Sequence, residues 1–168
     1  MGRKVSPAMA ICNPMELRAC LASGECLIGL DVGEKTIGIA FSDPSCTIAT
    51  PYETLRRSKF RTDVEKLKEH IASHRVGGIV VGLPINMNGT EGPRCQSTRA
   101  FADNLLREMD LPLVFWDERL STAAVTRTLI EADLSRKRRS EVVDKLAAAY
   151  ILQGFLDSLT ALKEGAKP

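Results

Sequence analysis

From Cys26 onward the chain alternates between short apolar runs and longer stretches with helical spacing. Cys26-Leu27-Ile28-Gly29-Leu30 is a continuous apolar run that stops at Asp31, the pattern of a strand buried on both faces. Val32-Gly33-Glu34-Lys35 reads as a tight turn and Thr36-Ile37-Gly38-Ile39-Ala40-Phe41 as a second strand. So short a connection cannot make a parallel crossover, so the two strands form an antiparallel hairpin. Tyr52-Glu53-Thr54-Leu55 extends the meander as a weaker third strand. Between Arg61 and His74, Val64, Leu67 and Ile71 recur at helical spacing, and Gly77-Gly78 is expected to end that helix. Ile79-Val80-Val81 is a buried strand, followed by a loop rich in Pro, Asn and Gly as far as Pro93. A helix over 97–109 then precedes a fifth strand, Leu113-Val114-Phe115-Trp116, which ends in Asp117-Glu118. Helices over 122–132 and 141–162 complete the pattern, with basic Arg136-Lys137-Arg138-Arg139 between them.

Strand–helix–strand units make right-handed parallel crossovers. The expected architecture is therefore an α/β domain: a mixed five-stranded sheet, with a three-strand antiparallel meander and two parallel strands, flanked by helices. The boundaries are a loosely attached lead-in over 1–25 with a short helix begun by Asn13-Pro14, one domain over 26–162, and a tail over 163–168.

Composition narrows the function classes. At 168 residues with 44% hydrophobic and 26% charged positions, the chain matches one globular domain. No apolar run approaches the ~20 residues of a membrane span. No secretory signal is read at the N-terminus, so the expected location is cytoplasmic, with no membrane partner. The 23 Lys and Arg against 21 Asp and Glu leave a charge of +2, so any nucleic-acid affinity has to come from local clusters. Five cysteines without CxxC spacing, and two histidines, argue against structural zinc.

Open α/β sheets place their sites beyond the C-terminal strand ends. Here the first strand delivers Asp31, the fourth Gly82-Leu83-Pro84 and a polar loop, and the fifth Asp117-Glu118. The last helix adds Asp144, whose i+4, i+7 and i+11 positions are Ala148, Ile151 and Phe155, an apolar stripe facing the sheet. Asp31, either Asp117 or Glu118, and Asp144 thus form a candidate carboxylate cluster. Mutual repulsion in such a cluster is relieved by a divalent cation, and oxygen ligands favour Mg²⁺ or Mn²⁺. Each acid also has a structural role open to it: a turn residue at Asp31, a pair with Arg119 at Asp117 or Glu118, and a first-turn helix acid at Asp144. Arg119 and the 136–139 run are candidate phosphate contacts, with Arg56, Arg57, Lys59 and Arg61 a second basic group.

Four segments resemble the YqgF/RuvX family in order and content. They are Leu30–Ala40 with its Asp31-Val32-Gly33 turn, Val80–Gly92, Trp116–Thr122, and Val143–Gln153. The resemblance spans Leu27 to about Leu159 and implies an RNase H-like fold related to Holliday-junction resolvases. It also implies a nuclease that matures the 5′ end of pre-16S rRNA in bacteria, with pre-ribosomal particles as the setting. The family's acidic positions match Asp31, Glu118 and Asp144, which become the expected catalytic residues and ligands for two Mg²⁺ or Mn²⁺ ions. Arg119, Arg136, Lys137, Arg138 and Arg139 are the expected nucleic-acid contacts. Two residues depart from the family pattern: Glu34 adds a carboxylate to the first turn, and Cys95 stands where serine is expected. The rival readings are a non-catalytic nucleic-acid-binding or ribosome-associated factor, a resolvase acting on branched DNA, and a phosphotransferase of the actin/sugar-kinase type. The last needs two such domains around a cleft, and this chain has room for one.

Overall fold

The computed structural model describes residues 12–120 and 136–165, with side chains in the second segment from residue 142. The helix expected over 122–132 lies outside the described residues, as do the side chains of Arg136, Lys137, Arg138 and Arg139. The order is α1 (Pro14–Cys20), β1 (Cys26–Val32), β2 (Thr36–Ser42), β3 (Ala49–Arg56), α2 (Phe60–Ser73), β4 (Val76–Leu83), α3 (Pro93–Glu108) and β5 (Leu113–Asp117). A 3₁₀ turn, Glu118–Leu120, and a long helix, α4 (Arg136–Gly165), complete the described chain.

The five strands form one sheet in the order β3-β2-β1-β4-β5. β1 pairs antiparallel with β2 and parallel with β4, β2 is antiparallel to β3, and β4 is parallel to β5. The meander and the two parallel strands are therefore as the sequence pattern predicts.

Strand alternation divides the core into two layers. Ile28, Leu30, Ile37, Ile39, Ile79, Val81 and Leu113 pack with Val64 and Leu67 of α2 and with Phe101 and Leu105 of α3. On the opposite face Leu27, Ala40, Val80 and Val114 pack with Ala148, Ile151, Leu152 and Phe155 of α4. The apolar stripe read from Asp144 is thus the sheet-facing side of α4, with Ala148, Ile151 and Phe155 all fully buried.

Three expectations change. Gly77-Gly78 does not end α2 but lies inside β4. The helix stops instead at His74, and Arg75 reverses the chain with a left-handed φ of 53°. From Cys12 onward the lead-in is packed rather than loose. Asn13 and Glu16 form a reciprocal cap on α1, and Leu17 is fully buried against the α4 face of the sheet. Finally, Arg136–Arg139 is not a connecting loop: its backbone forms the opening turn of α4. A basic stretch carries no breaker, and Lys and Arg are good helix formers.

A candidate active site at the C-terminal edge of the sheet

The ends of β1, β4 and β5 and the start of β2 share one edge. Along β1, Ile28 and Leu30 belong to the α2/α3 layer, so Asp31 points to the α4 face, and it is only 5% exposed. Its ladder partner on β2 is Gly38. A methyl group at Gly38 would stand 1.9 Å from the Asp144 carbonyl oxygen, so glycine here lets α4 lie directly on the sheet at Asp144. Asp144 is consequently fixed over the strand beside Asp31, and its Oδ2 accepts a 2.6 Å hydrogen bond from the Thr36 hydroxyl.

The choice between Asp117 and Glu118 follows from the same alternation. Val114 and Trp116 pack in the α4 layer, whereas Leu113 and Phe115 pack in the other. Asp117 therefore points away from α4. Its carboxylate accepts hydrogen bonds from the Arg119 backbone N–H at 3.0 Å and from Arg119 Nη2 at 2.7 Å. The Arg119 guanidinium holds the Asp117 carboxyl below the usual carboxylate range. Glu118 turns to the α4 face, where its Oε1 lies 2.9 Å from the position a Cβ on Gly82 would take. Gly82 follows Val81, the ladder partner of Leu30, so it brings Glu118 to the β4 position beside Asp31.

The three acids thus meet on one face at one end of the sheet, although they are not drawn into a closed cluster. Among the described residues no three His, Cys, Asp or Glu side chains are grouped to hold a metal ion. The donors offered are all carboxylate oxygens, the set that suits Mg²⁺ or Mn²⁺. Arg119 reaches this edge as well: its Nη1 lies 3.6 Å from a Cβ position on Gly89, in the loop after β4. Cys95 is fully buried in the first turn of α3, and burial, with the Glu91 charge next and the Glu118 charge contributing, pushes its thiol up. A raised, buried thiol does not offer a ready nucleophile. Glu34 is exposed in the turn between β1 and β2.

Thr36 and Gly38 are absent from the candidates read from the sequence, and Gly82 appears there only as a strand end. Glycine inside a strand was the available signal for the two glycines, since it marks where another element approaches closely. Nothing local marks Thr36.

A mixed sheet of this order, with acids from β1, from the end of β5 and from the covering helix, defines an RNase H-like fold of the resolvase type. RuvC of T. thermophilus, solved with a Holliday junction substrate, superposes with a TM-score of 0.51 at 14% identity, covering 81% of this chain and 96% of that chain. The yeast mitochondrial Holliday junction resolvase Ydc2 does so at 0.51 and 11% identity, over 88% and 84%. At sequence level the RuvX family, described as a Holliday junction resolvase, matches residues 25–158. A Paramagnetospirillum magneticum protein named "Putative pre-16S rRNA nuclease" is 62% identical over 150 residues, which are 89% of this chain and 97% of the relative. A Ruegeria relative of the same name is 58% identical over 88% and 94%. The chain belongs to the RuvX family, and with that family it is a nuclease, a hydrolase acting on ester bonds.

Proposed function

We propose that the chain is a divalent-metal-dependent endonuclease that processes the 5′ end of pre-16S rRNA in the cytoplasm, with pre-ribosomal particles as its setting. The observation that carries the site assignment is the shared face of Asp31, Glu118 and Asp144, fixed by Gly38 and Gly82. The names of relatives that match over nearly their whole length support the choice of substrate. Asp31, Glu118 and Asp144 would hold the cations, Mg²⁺ or Mn²⁺. When bound, the cations supply a lowered pKa for attacking water and charge stabilisation at phosphorus and the leaving oxygen. Buried Asp31 offers a carboxylate that solvent screens little, so it would hold a cation strongly. Thr36 donates to Asp144 and limits its rotation, which orients the third acid from the helix side. Arg119, kept in place by Asp117, faces nonbridging phosphate oxygens at the edge near Gly89. No serine or histidine nucleophile is required. The family description keeps a second substrate in view, branched DNA.

Cleavage of 5′-extended pre-16S RNA beside a four-way DNA junction tests the reading. Activity is expected with Mg²⁺ or Mn²⁺ and is lost on chelation; full cleavage by metal-free protein in EDTA would contradict it. Preference for the junction over the RNA reassigns the substrate. Neutralising Arg136, Lys137, Arg138 and Arg139 together should weaken binding and flatten its salt dependence, each lost phosphate contact lowering the log–log slope by about one. Fluorescence anisotropy over a salt series measures it, and an unchanged slope removes this run from the interface.

A further inference from the structure

The catalytic edge carries a second basic surface where the end of β3 meets the turn between β1 and β2. The register pairs Thr36 with Arg56, so the end of β3 lies beside the turn between β1 and β2. The Arg57 N–H donates to the Lys35 carbonyl at 2.8 Å, which brings the two segments into contact. The Arg57 side chain then crosses to α3: its guanidinium lies 5.2 Å over the Phe101 ring and donates to the Gly33 carbonyl at 2.6 Å. Lys59 and Arg61 continue the surface into the first turn of α2.

At the far end of this ridge the β1–β2 turn and the start of α3 enclose a cavity of about 240 Å³. Val32, Gly33, Glu34, Arg94, Ser97 and Thr98 line it, with Val32, the residue after Asp31, turned to the α2/α3 layer. Lys35, Arg56, Lys59, Arg61 and Arg94 are all exposed, and among the described residues none of them forms an ion pair. The acids nearby are mostly engaged. Asp63 is buried and accepts from the Ser58 backbone and hydroxyl, and Glu91 pairs with Arg99. Glu34 is the one exposed carboxylate on the cavity wall. Five exposed cations, without an ion pair among the described residues, gathered at the edge that carries the candidate carboxylates make a region of positive potential. A polyanion with regularly spaced charges fits such a region, and a phosphodiester backbone is one.

We propose that the ridge of Lys35, Arg56, Lys59 and Arg61, with Arg94 at the cavity between the β1–β2 turn and α3, is the track along which the nucleic-acid backbone lies as it enters the site at this edge. Arg57 is the positioning residue that ties the ridge to the turn through Gly33. The proposal rests on the nuclease reading and adds a surface to it: Arg56, paired with Thr36, lies on the α4 face of the edge, while Lys59, Arg61 and Arg94 stand at the starts of α2 and α3.

The full-length protein is tested with two labelled probes, an RNA duplex with a 5′ extension and a four-way DNA junction, by anisotropy in metal-free buffer over a salt series. One variant carries glutamine at Lys35, Arg56, Lys59 and Arg61. A control with the same charge loss carries glutamine at Arg18, Lys66, Arg107 and Lys163, exposed positions away from this edge. The ridge variant is expected to bind at least tenfold more weakly, with the salt slope lowered by about two or more, while the control changes by less than about one. Arg94→Gln alone should lower the slope by about one, and Arg94→Lys should restore it. Equal losses in ridge and control, an unchanged ridge variant, or no binding of either probe by the parent protein overturns the track. Cleavage with Mg²⁺ judges the parent reading separately. Intact cleavage by the parent with unaltered binding in the ridge variant removes the track alone. Binding lost in the ridge variant, by a parent that cleaves neither probe, keeps the track and removes the nuclease.

Discussion

Asp31→Asn is expected to reduce phosphodiester cleavage by about a thousandfold, equivalent to about 4 kcal/mol of transition-state stabilisation. The substitution keeps the side chain's shape and removes one negative charge. That charge is buried, next to Gly38 on one strand and near the Glu118 carboxylate over Gly82. A cation held by these acids would lose its most shielded ligand, whereas a phosphate approaching the site would meet less repulsion. Nucleic-acid binding should therefore hold steady or tighten while turnover collapses. Single-turnover cleavage and anisotropy on the same preparation separate the two, and circular dichroism checks that the fold persists. Parent-level cleavage by Asp31→Asn would sink the metal-nuclease mechanism. If neither protein cleaves any RNA or DNA, and only loss of the basic surfaces abolishes binding, the chain is a binding factor on a nuclease fold.

Gly38→Ala should be the most damaging single methyl group in the described chain. Its Cβ would fall 1.9 Å from the Asp144 carbonyl oxygen and 2.4 Å from the carbonyl carbon. Both are backbone atoms of a helix, so no rotamer change relieves the clash, and α4 has to lift from β2. Overpacking costs about 1–3 kcal/mol and more where the obstacle is rigid, so about 3 kcal/mol is expected here. For a chain of this size that is a fall in melting temperature of about 6–12 °C. Gly165→Ala, where nothing lies within 4 Å, is the matched control and should melt with the parent. Because the displaced atoms belong to Asp144, Gly38→Ala should also lose cleavage at temperatures where it remains folded. Full activity in a folded Gly38→Ala protein would remove Asp144 from the site.

Much of this site was legible along the chain. A continuous apolar run ending in Asp31, a hairpin too short to cross over, and a helical stripe read from Asp144 are properties of residues close in sequence. Periodicity reports which way a side chain points relative to its own element, and that was enough to place the strands in one edge-sharing set. The residue pattern left Asp117 and Glu118 open, and only the family resemblance favoured Glu118 at that level. Alternation separates the two neighbours onto opposite faces, but which face holds the other acids is known only once α4 has packed on Val114 and Trp116.

The same limit explains Gly77 and Gly78, whose local pattern reads as a helix stop. In the fold they lie in β4, where Leu17 from α1 packs against Gly78. Thr36 reaches Asp144 across 108 positions of sequence, and Lys35, Arg56 and Arg94 share an edge only because the sheet gathers their loops. The sequence by itself determined the elements, their order and the acids that end them, because those follow from local spacing and burial preference. Tertiary packing alone decided which acid faces the site, where a helix can touch a strand and which cations join into one surface, because each depends on distances between elements that no local pattern encodes.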